Sequence, residues 1–433
     1  MKKIALFALA AAFCACTAQE KSIFADNFDD LTSFETNWDT TSKRKVEGSI
    51  IYAAEAGIDS TGCVKITSEN PTYLAAKHTI TGLECGKLYR ASAMVKCQDV
   101  KGGRGAVLHL TPENRDQEWN ASKFLYDTQD WQEVYVDFIA DKDGSATICC
   151  GLGFPWGTYL GNKASGTVWY DNLKVIALPE DALYHRESEH IIVYLEKSKV
   201  NITDEQMDQW LANLDKVYNA YFDLIGEAPY GGEKIIILNS PGIEPGYWAL
   251  AGNPILWNSN VKVEDVISRT VEFDDWGFGI MHEIGHDFSH SNIKGDGRWN
   301  WNDEIFANFR MSYALEACDG TASQRNVCYK GADIINYYKI FYDETIGAGI
   351  AKNNGDALHY TFLRIKEKYG WDVYKKAFRK LYATPDSELP KFNGNYDKLI
   401  YFLAQVSEAA GEDVTKTCYT PEELKLIEES LKN

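Results

Sequence analysis

The sequence predicts a multidomain protein: an all-β sandwich at the N-terminal end, then an α+β domain that becomes mostly helical toward the C-terminus. Three observations carry this. The chain has 433 residues, more than one ordinary hydrophobic core holds. Between about Ser22 and Ala177, short segments alternate apolar and polar residues and are separated by turn residues at the intervals of a sandwich. After Leu178-Pro179-Glu180-Asp181 the apolar period changes from two to that of helices.

The alternation is plainest at 87–95, 133–139 and 167–175, each an expected strand. In the second half, 190–195 reads as a strand, and a helix opens at Thr203. Gln206 follows three residues on, a capping box, and the apolar period continues to about Leu224. Another strand is expected at 234–238, and from about Val263 onward the chain reads as helical. These patterns place a sandwich at 22–177 and a second domain at 185–433, with no internal repeat between them.

Composition narrows the function classes. Hydrophobic residues are 45% and charged residues 25%, the balance of globular protein. The formal net charge of −19 makes nucleic acid a poor partner. Met1-Lys2-Lys3, the apolar run 4–13 and Ala15-Cys16 read as a lipoprotein export signal over 1–16, with Cys16 as the lipidated residue, although Phe13 departs from the usual leucine. The expected location is therefore the cell envelope, as an outer-membrane or surface lipoprotein, with plain secretion as the alternative. Of the ten cysteines, none lies in a zinc-type Cys-x-x-Cys pair, and Cys318 with Cys328 is a candidate disulfide closing a short loop.

The chemistry concentrates in Trp276-Gly-Phe-Gly-Ile-Met-His282-Glu283-Ile-Gly-His286-Asp-Phe-Ser-His290. Helical residues four apart lie about 40° apart around the axis, so His282 and His286 can turn both imidazoles to one Zn²⁺. Glu283 points about 100° away from His282, free to hold a water and take its proton. The third ligand is expected at Glu304, in the first turn of a helix capped by Asn302 or Asp303, with Asp303 as a lesser alternative ligand. Asn308, one turn on, can orient a ligating imidazole by hydrogen bonding. The metzincin pattern is absent, because it needs glycine at 289 and histidine at 292 where the chain has Ser289 and Asn292. His290 is expected to lie too far along the same helix to share the ion.

The run from Trp276 to Asn308 resembles the enhancin-like metallopeptidases, a gluzincin family that includes viral enhancins and mucin-directed bacterial peptidases. Trp276-Gly277, the His282 to His286 motif, and Glu304 with Asn308 carry the resemblance. Leu250-Ala-Gly252-Asn253-Pro254-Ile255 resembles the family's strand beside the cleft, and Tyr369-Gly370-Trp371 with Phe402 and Ser407 its closing helices. The likeness covers roughly residues 185–425 and departs before Gly252. It implies a zinc endopeptidase acting on glycoproteins, including mucin-type O-glycosylated chains. A gluzincin also implies a His or Tyr that stabilises the oxyanion, and His359 and Tyr360 are the candidates, ahead of Tyr313, Tyr337 and Tyr338.

The N-terminal part resembles the jelly-roll carbohydrate-binding modules. Trp119, Trp156 and Tyr159, in loop-like surroundings, are candidate glycan-stacking rings, while Trp131 and Trp169 read as core. Such modules often carry a structural Ca²⁺, for which Asp171 is a candidate ligand. Two other functions compete: a glycan-binding surface lipoprotein that does not cleave, against which the intact ligand set and base argue, and an aminopeptidase, whose glycine-rich anchor motif is missing.

Overall fold

Nine strands build the N-terminal sandwich: β1 (Ser22–Asp26), β2 (Ser49–Ala53), β3 (Cys63–Thr72), β4 (Leu74–Thr81), β5 (Leu88–Lys101), β6 (Ala106–Thr111), β7 (Asp127–Ile139), β8 (Ser145–Leu152) and β9 (Ala164–Ala177). A helix, α1 (Leu31–Asn37), leads from β1 and is capped by Asp30. The larger sheet runs β2-β3-β9-β5-β7, with β1 also on β9, and faces a second sheet ordered β4-β8-β6. All these pairings are antiparallel. Period-two alternation sends Val64, Ile66, Val134, Val136, Val168 and Tyr170 inward from one sheet to meet Leu108, Leu110, Ile148 and Leu152 from the other.

The computed structural model describes residues 22–432 apart from 42–46, 112–116, 118, 156–160, 245 and 261–262. The expected lipoprotein signal with Cys16, and the candidate rings Trp156 and Tyr159, lie outside the described residues. No helix among the described residues is long and apolar enough to cross a membrane.

Two expectations are corrected. Trp169 lies between the inward-facing Val168 and Tyr170, so the pleat turns it outward, half-buried, with the Lys65 and Lys96 ammonium groups 5.4 and 5.7 Å from its ring. Trp131 is likewise only half-buried. Cys318 and Cys328 are free thiols, their sulfurs directed at the carbonyls of Lys216 and Phe273.

The second unit begins with a five-stranded sheet: β10 (Tyr184–Glu187), β11 (Ile191–Leu195), β12 (Ile235–Ser240), β13 (Ala249–Leu250) and β14 (Ile255–Asn258), ordered β10-β11-β12-β14-β13. The central β11-β12 and β12-β14 pairs are parallel and the outer pairs antiparallel, which leaves β13 at an edge. The crossover from β11 to β12 is α2 (Asp204–Ile225), opened by the Thr203–Gln206 capping box and closed by Gly226 in the left-handed conformation.

Then come α3 (Val263–Phe273), α4 (Phe278–Asp287), α5 (His290–Lys294), α6 (Asp303–Ala317), α7 (Ile334–Asp343), α8 (Gly355–Tyr369), α9 (Asp372–Ala383) and α10 (Asn395–Ala410). Their core is strongly aromatic: Trp299, Phe306, Phe309, Phe362, Phe378 and Phe402 are all fully buried and in mutual ring contact. That block packs α6 against α8, α9 and α10.

Candidate active site

Two antiparallel elements of the helical layer, α4 and α6, meet along the motif. Gly285 makes their closeness possible, because a Cβ there would sit 2.9 Å from the Ala307 carbonyl oxygen and 3.1 Å from its Cα. Its own carbonyl accepts a hydrogen bond from the buried Arg310 of α6 at 2.8 Å, which fixes the two helices in register. Asn302 caps α6 by accepting from the Glu304 amide, placing Glu304 in the exposed first turn beside α4.

In this arrangement His282, His286 and Glu304 converge. The two Nε2 atoms are 3.0 Å apart, and the Glu304 carboxylate lies 3.1 Å from His282 Nε2 and 3.6 Å from His286 Nε2. Ligands about 2.0–2.1 Å from a tetrahedral ion are themselves about 3.3 Å apart, so this spacing fits zinc. Among the described residues it is the one group of three or more His, Cys, Asp or Glu side chains able to hold a metal.

The outer nitrogens support the fit. His282 Nδ1 lies 2.8 Å from Asn308 Oδ1 and His286 Nδ1 lies 2.7 Å from Asp303 Oδ2, acceptors that place a proton on each Nδ1 and leave each Nε2 lone pair toward the site. Asp303 is therefore neither the helix cap nor a ligand but the carboxylate that orients His286. It is held in turn by Asn300 at 2.8 Å and by the fully buried Arg310 at 3.3 Å. Nothing in the local sequence around Asp303 signals this role, because the His286 contact depends on how α6 lies on α4.

Charge around the site favours a cation. Burial opposes charging His286, yet the hydrogen bonds it donates to the Asp303 and Glu304 carboxylates prevail and raise it to about 10. Glu304 is held well below the usual carboxylate range by hydrogen bonds from His282 and His286. Glu283 is raised, chiefly by burial, although its carboxylate accepts the Ala251 backbone N–H. That amide belongs to the segment following edge strand β13. The same segment is tied to α4 through Asp287, whose Oδ1 accepts from the Gly252 N–H and from Tyr230, each at 2.9 Å. A cavity of about 390 Å³ opens here, lined by Leu250, Ala251, Gly252, Glu283, His286 and Glu304, by Ser289, Ser291 and Asn292, and by Trp119 of the sandwich.

Several expectations need correction. His359 is fully buried, with Nε2 3.1 Å from Ser312 Oγ and its ring 3.8 Å from that of Tyr338, so it has no access to the cleft. It falls on the apolar face of α8 with Leu358, Phe362 and Leu363. Tyr360 packs against Tyr342 and lies beneath the Arg364 guanidinium. Tyr313 donates to Asp223, and Tyr337 and Tyr338 are buried among aromatic neighbours. None of these five lines the cleft.

The motif helix ends at Asp287 and Ser289 caps the next, so His290 opens a new helix. Its ring accepts from Trp299 Nε1 at 2.7 Å and meets Asp296 at 2.9 Å, with no part in the site. In the sandwich, Asp171 accepts from the Ile58 amide, the Asn172 amide and Thr61 Oγ1, clamping the 57–61 turn. This is the carboxylate that the sequence offers as a candidate calcium ligand.

Residues 169–418 match the family described as peptidase M60, enhancin and enhancin-like. No curated protein matches the chain. Solved structures similar to it include a functionally unknown conserved protein from Bacillus anthracis str. Ames, with a TM-score of 0.44, 12% identity, and coverage of 82% of this chain and 79% of that one. Another is the CBM22-2 xylan-binding domain of Paenibacillus barcinonensis Xyn10C, with a TM-score of 0.27, 17% identity, and coverage of 36% of this chain and all of that one.

Proposed function

The chain belongs to the M60 peptidases, enhancin and enhancin-like, and from that premise we propose that it is an exported zinc endopeptidase that hydrolyses peptide bonds in glycoproteins, with mucin-type O-glycosylated chains as its substrate class. The observation that carries the chemistry is the convergence of His282, His286 and Glu304 with Glu283 beside them in one cleft. Export and lipid anchoring rest on the signal-like residues up to Cys16.

His282 Nε2, His286 Nε2 and the Glu304 carboxylate would hold the ion. When bound there, zinc supplies a Lewis acid that acidifies a water and polarises the scissile carbonyl. Edge strand β13 gives an extended substrate a partner to pair with, which would lay its scissile bond across α4. Glu283 takes the proton of the attacking water on its carboxylate as the new C–O bond forms. It then gives that proton to the departing amine nitrogen as the C–N bond breaks. Burial raises Glu283 toward the proton affinity such a relay needs, and the Ala251 amide fixes the carboxylate's position. Asn308 and Asp303 keep the imidazoles aimed.

The test separates metal binding from turnover. Glu283→Gln should retain about one zinc per chain and lose roughly 10²–10⁴-fold in turnover of an O-glycosylated mucin-type substrate, read by mass spectrometry of the fragments. His282→Ala or Glu304→Ala should empty the site. Activity of Glu283→Gln within tenfold of the parent, or full zinc in both ligand variants, would reject the assignment.

A further inference from the structure

The sandwich contributes a wall to the peptidase cleft. Trp119, in the segment between β6 and β7, lines the same cavity as Glu283, His286 and Glu304. A module that only tethers an enzyme to its substrate has no reason to stand there.

The position of Trp119 is fixed by contacts across the junction. The next residue, Asn120, is fully buried; its Oδ1 accepts from Ser240 Oγ of β12 at 2.9 Å and its amide donates to the Asp137 carbonyl at 2.7 Å. Past it, the Ala121 and Ser122 carbonyl oxygens press on Gly242, where a Cβ would lie 2.5 and 2.6 Å from them. Beneath the indole, the guanidinium of Arg104 lies 5.0 Å from the Trp119 ring and 4.1 Å from that of Phe154. Arg104 Nε also pairs with Glu244 of the peptidase unit at 2.8 Å, and both side chains are buried. Swinging the sandwich away would expose a buried ion pair and strand Asn120.

We propose that Trp119 is a substrate-contacting, specificity-determining residue of the peptidase site, whose indole stacks on a sugar ring carried by the substrate chain close to the scissile bond. The indole is half-buried and borders the cavity, as a stacking ring must. The exposed Ser291 and the half-buried Asn292 line the same cavity and present a hydroxyl and a side-chain carbonyl oxygen of the kind that sugar hydroxyls bond, which a purely apolar peptide side chain does not need. The inference rests on the glycoprotein reading of the site. It differs from a tethering role in its consequence, since tethering aids only large substrates, whereas a cleft wall acts on the shortest one that fills it.

The probe is a short peptide bearing one O-linked N-acetylhexosamine, with the bare peptide as control. Binding is measured by calorimetry on the full-length, zinc-loaded Glu283→Gln protein. Adding Trp119→Ala should weaken glycopeptide binding about tenfold or more, Trp119→Phe should restore most of it, and bare-peptide affinity should stay unchanged. Trp119→Leu keeps apolar bulk without the flat ring and should behave like alanine. Melting temperature and zinc content report whether each variant is folded. Equal glycopeptide affinity with and without Trp119, equal losses on both peptides, or no saturable glycopeptide binding overturns the proposal. With Glu283 intact, cleavage of the short glycopeptide at parental efficiency by Trp119→Ala would sink the proposal and leave the peptidase reading standing. Trp119-dependent binding without any cleavage would do the reverse.

Discussion

Asp303→Asn should uncouple the metal centre from its scaffold in two measurable ways. In the parent, Asp303 Oδ2 sits 2.7 Å from His286 Nδ1, and Oδ1 accepts from Asn300 and from Arg310. Loss of the carboxylate's charge makes the imidazole a weaker donor to metal, a change of about 10–100-fold in affinity, or roughly 1.4–2.8 kcal/mol. The second effect falls on stability. Arg310 is fully buried, and Asp303 is its anionic partner among the described residues; the Gly285 carbonyl and Tyr382 hydroxyl that also contact it are neutral. Breaking one side of such a pair costs about 3–5 kcal/mol, toward the lower end here because asparagine still offers an acceptor. Zinc competition against a chromophoric chelator reads the first effect, and urea unfolding of the metal-free protein reads the second. Adding Arg310→Met should recover most of the stability while leaving zinc affinity low. A single Asp303→Asn variant that holds zinc within twofold of the parent would refute the orienting role.

Two further outcomes follow from buried charge in the sandwich and at the junction. Burial lowers His109 to about 4, with Lys77 and Arg104 nearby adding to the effect against the Leu110 carbonyl, so the native state excludes a proton that the unfolded chain binds below about 6.5. Between those values the unfolded state carries more protons. Stability should therefore be full above about pH 6.5 and fall as pH drops toward 4, by roughly 3 kcal/mol in all, and His109→Gln should flatten that part of a stability–pH profile. An unchanged slope in the variant counts against His109. At the junction, Arg104→Met alone should destabilise by about 3–5 kcal/mol by breaking one side of the buried pair, while Arg104→Met with Glu244→Gln should recover most of it. Equal stability of the single and double variants in urea melts would show that the pair is not coupled.

Local rules are what the sequence settles by itself. The capping box at Thr203 and Gln206 sits at the start of α2, because a cap needs only three residues of helix to be satisfied. Two histidines one turn apart share a helix face whatever surrounds them, and Glu304 falls in the first turn of α6 because Asn302 caps it. Alternation in 87–95 meets β5 from Leu88 onward, and that in 133–139 and 167–175 lies within β7 and β9, since period two requires only one buried face. The enhancin-like resemblance reached farther than these rules, to the family itself.

What depends on how elements lie on one another was decided by the tertiary structure alone. His359 looked available because its chemistry suits an oxyanion, but the rotation of α8 against α6 and α7 seals it against Ser312 and Tyr338. Asp303 reads as a helix-cap residue until α6 is laid across α4 at Gly285, which brings its carboxylate to His286. Trp119 reads as an isolated loop aromatic in one domain. Only the junction formed by Asn120, Gly242 and the Arg104–Glu244 pair carries it into the cleft of the other. Each of these placements joins residues far apart in the chain, and no periodicity or local spacing encodes a contact whose two sides are positioned by different elements.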